Sequence, residues 1–314
     1  MLVREIAPET TLHTPVMVEE VLHYLDVLPG GRYVDCTVGT GGHAEAVLEM
    51  ASPGGLLLGL DVDAQALALA RKRLERFWPD VRLVEANYRD LAAVCREYSF
   101  IPVHGVLFDL GLSSLQLAQA ERGFSFQREG PLDMRFDQEQ ELTAFDIVNH
   151  CSEVELARII WQYGEERQSR RIARAIVRAR PIHTTRELAE VVSRAVRAPG
   201  HRLHPATRTF QALRIAVNRE LENLEMALAQ AVQVLGRGGR LVVISYHSLE
   251  DRIVKQFLQR ESQDCICPPD LPKCLCGHRA TLRPLTRSPV RPSDDEVRRN
   301  PRSRSALLRA AEKL

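Results

Sequence analysis

Long apolar runs are missing from this sequence. Although 45% of its 314 residues are hydrophobic, none of the runs approaches the length of a membrane span. An excess of either charge is missing too: 42 Lys and Arg stand against 41 Asp and Glu, a formal net charge of +1. Any nucleic-acid surface must therefore be local rather than a property of the whole molecule. The first residues carry Glu5 and Glu9 and lack the apolar stretch of a signal peptide. Cysteines number seven, and three of them (Cys36, Cys95, Cys151) stand apart in core-like surroundings, which fits a reducing compartment. The expectation is a cytoplasmic enzyme that does not enter a membrane, with ample chain for a large core and a second unit.

What is present is organised around the stretch from Gly31 to Asp63. It reads as a buried strand (Arg32 to Cys36), a glycine turn (Gly39, Gly41, Gly42), a helix, and a second strand (Leu56 to Leu60) ending on Asp61. Glycines let backbone approach a ligand, and the helix that follows aims its free N–H groups at the turn. Asp61 lies 20 residues past Gly41, about the 20-residue offset at which a carboxylate meets an adenosine ribose. Two cofactor classes compete. Gly39-x-Gly41-x-x-Ala44 is a tolerable dinucleotide fingerprint, and a dinucleotide-dependent oxidoreductase is one alternative. Asp35, four residues before Gly39, favours the other class: it would repel a pyrophosphate and attract the cationic α-amino group of S-adenosylmethionine, by about 1–4 kcal/mol.

A short arm (His13 to Met17) precedes a helix with Val18, Val21, Leu22 and Leu25 on one face, which Pro29-Gly30 should stop. After the first unit come a helix from Ala64 to Phe77, a strand from Val81 to Glu85, a helix from Leu91 to Tyr98 and a strand from Val103 to Leu110. Asp35, Asp61, Asn87-Tyr88 and Asp109 each stand at the carboxyl end of a strand, where open α/β sheets hold their ligands. The α/β rhythm then stops. From Leu115 to about Arg214 there are helical patterns only: Glu153 to Tyr163, Arg167 to Ala179, and Thr185 to Val196 capped by Thr184 or Thr185. A long helix from Thr207 to Leu235 leads back to a strand at Gly239 to Ser245. The expected fold class is α/β: a Rossmann-like S-adenosylmethionine-dependent methyltransferase domain made of residues 1–114 and 215–314, with an inserted all-helical domain at 115–214.

Charge in the insertion is segregated, −7 over residues 118–166 and +10 over residues 167–216, and every cation in the second half is Arg. Arg167, Arg171, Arg174 and Arg178 fall on one helix face, opposite Ile172 and Ile176. A solvated face is the ordinary meaning of such a run. Arginine in place of lysine suits bidentate phosphate contact and makes an RNA surface the preferred reading.

At this point the residues carry a resemblance. Asp35-x-x-x-Gly39-x-Gly41-Gly42-His43, Asp109-Leu110-Gly111-Leu112-Ser113-Ser114, Glu121-Arg122-Gly123-Phe124-Ser125-Phe126, Gly130-Pro131-Leu132-Asp133-Met134-Arg135, Tyr163-Gly164-Glu165-Glu166-Arg167, His204 to Gln211 and His247 to Arg252 resemble the ribosomal RNA small subunit methyltransferase H family, from His13 to Ser305. The resemblance implies transfer of a methyl group from S-adenosylmethionine to N4 of a cytidine in the decoding region of bacterial 16S rRNA, with 16S rRNA or the small ribosomal subunit as partner. It implies a cofactor site of Gly41, Gly42, His43, Asp61, Tyr88, Asp109 and Gln116. Tyr88 stands where the family also uses Phe, and Leu115 replaces a common Pro before Gln116.

Asp109 is the candidate catalytic residue, as an acceptor that orients the N4 amine, beside the plainer role of cofactor or loop ligand. Phe124, Phe126 and His247 are candidates to contact an extruded base, against core and loop roles. The Asp/Asn-Pro-Pro-aromatic motif of many amino-methyltransferases is absent, which speaks against a DNA amino-methyltransferase. Cys265-x-Cys267 and Cys274-x-Cys276 place four thiols within twelve positions. One residue between the members of each pair is short of the usual Cys-x2–4-Cys spacing and strains a shared tetrahedral site, so no metal is assigned.

Overall fold

The computed structural model describes residues 15–196, 204–268 and 273–314; His13 and Thr14 of the arm lie outside the described residues. Five strands, β1 (Arg32–Asp35), β2 (Leu56–Asp61), β3 (Val81–Glu85), β4 (Val103–Asp109) and β5 (Leu235–Ser245), pair in parallel in the order β3-β2-β1-β4-β5. Continuous apolar runs make strands that are buried on both faces, as in β1, β2 and β4, while β3 lies half-buried at the sheet edge. The order reverses between β1 and β4, which opens a crevice at their carboxyl ends. Beyond β5 the chain's end adds β7 (Leu307–Lys313), antiparallel to β5, and β6 (Leu282–Pro284) at the edge.

Helices α1 (Val18–Leu25), α2 (Gly42–Ala51) and α3 (Ala64–Arg73) cover one face, burying Leu25, Val47 and Leu67 against Leu57, Leu107 and Ile244. On the other face α4 (Leu91–Glu97), α11 (Glu220–Val234) and α12 (Ser248–Glu261) bury Leu91, Leu228 and Val254 against Leu58, Val106 and Leu241. A third cluster of buried side chains lies wholly between Phe124 and Val217. It is built by α6 (Ala144–His150), α7 (Glu153–Gly164), α8 (Ser169–Ala179), α9 (Thr185–Ala195) and α10 (Thr207–Asn218). The one-turn α5 (Ser114–Ala118) leads into this stretch, and α13 (Asp294–Arg299) precedes β7.

Three expectations shift. Helix α1 stops at Leu25 because Asp26 turns left-handed (φ 51°), four residues short of Pro29-Gly30. Helix α3 ends at Arg73 and a separate tight turn covers Glu75–Phe77. The long helix from Thr207 to Leu235 is two helices, broken at Arg219 (φ 51°). Tertiary bonds compel that break. The Asn218 carboxamide accepts the Phe136 N–H (2.7 Å) and donates to Met134 O (2.8 Å), while Arg214 grips Glu220 with two bonds of 2.8 Å. The result parts α10, which packs in the third cluster, from α11, which packs on the sheet.

Candidate active site

The site grows from the turn after β1. Gly41 caps α2 in a left-handed conformation (φ 84°), which glycine adopts without strain, and Gly42 opens the helix. A Cβ at Gly42 would sit 3.0 Å from Pro15, so the arm before α1 crosses directly over the turn. At the end of β2 the Asp61 carboxylate accepts the N–H groups of Gly39 (2.8 Å) and Asp63 (2.9 Å), tying strand end to turn. Burial pushes its pKa up to about 6, against the lowering effect of those hydrogen bonds. Asp63 caps α3 and accepts from Gln116 Nε2 (3.1 Å) and Arg122 Nη1 (2.8 Å). Arg122 is almost wholly buried, and it also donates to the carbonyls of Arg135 and Phe136.

Below the turn runs a chain of titratable groups. Asp35 is buried and its Oδ1 accepts the Thr37 N–H (3.1 Å); burial raises its pKa to about 7. His43 Nε2 stands 3.4 Å from Asp109 Oδ2. Burial alone would lower the His43 pKa, but contact with Asp109 and the charges of Asp109 and Asp35 outweigh it and raise it. Asp109 Oδ1 accepts the Tyr246 hydroxyl (2.8 Å), and its backbone N–H is held by Thr37 Oγ1 (2.7 Å).

A second buried group of charges faces this chain across the cavity. Burial raises the Glu220 pKa although Arg214 pulls it down. Glu250 accepts the Tyr246 N–H (2.8 Å) and lies 3.1 Å from His247 Nε2. Burial would raise the Glu250 pKa, yet His247 and Arg214 outweigh it and hold it low. Tyr88 packs its ring edge-on to Phe108 at 5.8 Å.

Together these elements enclose a cavity of about 600 Å³, ample for a cofactor and part of a second substrate. Gly42, His43, Asp61, Tyr88, Asp109 and Gln116 line it. Gly41 does not: it packs on Leu74 and Ala70 and serves the turn. Asp35 is not on the wall either but lies beneath it next to His43, so its charge reaches the cavity through the imidazole rather than by contact. Gln116 is engaged at both ends, Oε1 accepting the Ser113 N–H that starts α5.

The base-contact candidates are elsewhere. Phe124 is buried and stacks on Phe136 (5.4 Å), Phe126 stacks on His204 (4.5 Å), and His247 caps α12; none of the three lines the cavity. The aromatic walls are Tyr88, Phe136 and Tyr246. Tyr246, Glu220, Glu250 and Arg122 are the site residues that sequence reasoning missed. Tyr246 follows the carboxyl end of β5, so the strand-end rule extended to that strand finds it; nothing in the sequence singles out Glu220.

On α8, Ile172, Ala173 and Ile176 are buried while Arg171, Arg174 and Arg178, with Arg167 just before the helix, are exposed. Arg174 pairs with Glu153 (3.3 Å); Arg167, Arg171 and Arg178 have no ion pair among the described residues. No described helix is long and apolar enough to cross a membrane.

The cavity suits a ligand that brings polar groups of both kinds. His43, on the cavity wall, has Nδ1 buried with no hydrogen-bond partner among the described residues, the state of a group that awaits one. The MraW methylase family profile matches residues 10–314. A Dehalococcoides mccartyi protein named ribosomal RNA small subunit methyltransferase H is 60% identical over 96% of this chain and 86% of its own length. Proteins of the same name from Thermomicrobium roseum (56% identical, 98% of this chain and 95% of that one) and Symbiobacterium thermophilum (52%, 96% of each) align as fully. The chain belongs to the MraW methylase family and is an S-adenosylmethionine-dependent methyltransferase.

Proposed function

We propose that this enzyme methylates N4 of a cytidine in the decoding region of 16S rRNA, with the helical stretch at 115–214 as its RNA-substrate domain and the cytoplasm as its place of work. The name shared by relatives that align over almost the whole chain supports the rRNA target. The observation that carries the chemistry is the Asp109 carboxylate, held by Tyr246 and His43 at the carboxyl end of β4 and open to the cavity.

S-adenosylmethionine supplies, when bound, an electrophilic methyl group on a sulfonium. Asp61 would hold the ribose hydroxyls, Tyr88 the adenine, and Gly42, His43 and Gln116 the rest of the cofactor, with Gly41 shaping the turn. Cytosine N4 is a poor nucleophile because its lone pair is delocalised into the ring. Asp109 gives one lone pair on Oδ1 to Tyr246 and faces His43 with Oδ2, which leaves acceptor capacity on both oxygens for the N4 hydrogens. Hydrogen bonding there favours the pyramidal amine that attacks, and the released proton leaves through Asp109. Phe136, Asp137 and Gln140 bring the edge of the helical stretch into the cavity wall, so RNA docked on that stretch would deliver its base to Asp109.

Nucleoside mass spectrometry of rRNA from cells with and without the enzyme tests the reading. N4-methylcytidine that depends on the enzyme is the expected result; a methyl group on another atom, or on DNA alone, overturns it. Parallel assays on free 16S rRNA and on assembled small subunits identify the substrate.

A further inference from the structure

We propose that Cys265, Cys267, Cys274 and Cys276 bind one zinc ion as four thiolates. The loop that carries them joins α12 to β6, and the fold converges their sulfurs: all four lie within 4.8 Å of one another. Cys265 Sγ is 3.4 Å from Cys274 Sγ and 3.9 Å from Cys276 Sγ, and Cys274 and Cys276 are 3.5 Å apart. Four sulfurs around a zinc at about 2.3 Å form a tetrahedron with edges of about 3.8 Å. A disulfide needs about 2.05 Å, and all four cysteines are free.

The one-residue spacing, which counts against a shared site in the sequence, is accommodated by the fold. In extended chain, residues two apart project to the same side. Two such pairs facing each other then offer four sulfurs to one point.

Three backbone donors also point at sulfur: Ile266 and His278 N–H at Cys276 (3.5 Å each), and Leu275 N–H at Cys267 (3.4 Å). Such bonds offset thiolate charge and orient metal ligands. His278 Nε2 is 3.1 Å from the Arg260 carbonyl and so stands behind the sulfurs rather than among them.

Among the described residues only a few polar contacts brace the loop, such as the Ala280 N–H on Asp264 Oδ1 (3.2 Å) and His278 on the Arg260 carbonyl. Leu275 is 80% exposed and Ile266 42% exposed, so no apolar core among the described residues gathers the cysteines. Small units without a core are held by metals or disulfides, and four-thiolate tetrahedral sites take zinc or iron, with zinc the usual structural ion.

The ion is structural. Helix α12 touches the cavity in its first turn, at Glu250, and its 14 residues span about 20 Å from Ser248 to Glu261, where the loop begins. The base of the loop is closed independently, by Thr281 N–H on Glu261 O (2.8 Å) and Thr281 Oγ1 on Glu261 Oε2 (2.6 Å).

The test is the metal content of the full-length chain purified under reducing conditions without chelator. About one zinc per chain is expected. Replacing one ligand from each pair, Cys265→Ser with Cys274→Ser, should reduce zinc more than tenfold, while Cys151→Ser retains it and adenosylhomocysteine binding is unchanged in both variants. Cobalt titrated into the stripped wild-type chain should give the intense visible bands of a tetrahedral tetrathiolate, a readout independent of how the variant folds. A chain without zinc, zinc retained by the double variant, weak octahedral cobalt bands, or an intact mass showing disulfides among these cysteines would each overturn the site.

Discussion

The sheet unit and the helical stretch use charge in opposite ways. Around the cavity, Asp35, Glu220 and Glu250 are buried, Asp61 lies close to the floor, and each has a backbone or side-chain partner that fixes its geometry. On α8 and just before it the arginines stand in solvent on a face whose reverse is apolar, and three have no ion pair among the described residues. Buried charge is costly and unscreened, so it acts over a few Å on a small ligand of matching shape. Exposed charge is inexpensive and screened by salt, so it is suited to a polyanion whose exact pose matters less. On the proposed function, the two regions divide the work between chemistry and capture.

The strongest way to break this contrast is at the buried pair that joins them. Arg122→Ala leaves Asp63 short of a cation and strips donors from two carbonyls, so we expect a loss of about 3–5 kcal/mol of stability in denaturant unfolding. A loss below about 1 kcal/mol would mean that the pair is not needed to hold the structure.

Asp109→Asn keeps size and one acceptor oxygen but loses the negative charge. Single-turnover methyl transfer by saturated enzyme should slow by on the order of 10²-fold, with a much smaller fall in cofactor affinity. A normal rate with weakened binding would make Asp109 a cofactor ligand only.

Asp61→Ala should weaken S-adenosylmethionine by about 1.5–3 kcal/mol in calorimetry. Ribose hydroxyls donate to the ionised carboxylate, whose pKa is about 6 in the free protein. Wild-type affinity should therefore fall as the pH drops through 6, and the variant should lose that dependence.

On the other side of the comparison, reversing Arg167, Arg171 and Arg178 to Glu should weaken RNA binding at least tenfold at low salt and leave cofactor affinity intact. Each lost phosphate contact should flatten the log–log salt slope by about 0.7–0.9. Methylation of a ribosomal substrate that survives at moderate salt would reduce the face to solvent decoration.

The smallest effect is at Asp35. Its pKa lies near 7 when folded against 3.8 for the ordinary carboxyl, so from about pH 4 to 7 the folded chain keeps a proton that the unfolded chain has lost. Stability therefore falls as pH rises through that window. Asp35→Asn should melt a few degrees higher than wild type at pH 8 and show no gain at pH 4; equal gains at both would show that its charge is not the cause.

Much of this molecule was legible in its residues. Period-free apolar runs that end on Asp gave β1, β2 and β4 and the line of their carboxyl ends, because a strand covered on both faces must be apolar and its ligands can sit only where it stops. Strand β3, a half-buried edge strand, was read from Val81, Leu83 and Val84. Capping residues such as Thr184 marked a helix start for the same local reason. The end of the chain was not legible: residues 307–313 (LLRAAEK) form β7 only because β5 and β6 supply partners on either side. Likewise, a helical run gives no sign that Arg219 turns left-handed until Phe136 and Met134 arrive to bind Asn218. Local pattern thus determined which segments fold and where their polar ends lie. Which of those ends meet, with Tyr246 on Asp109, Arg214 on Glu220 and four sulfurs around one point, was decided by tertiary packing, because such contacts join residues whose separation in sequence carries no energy of its own.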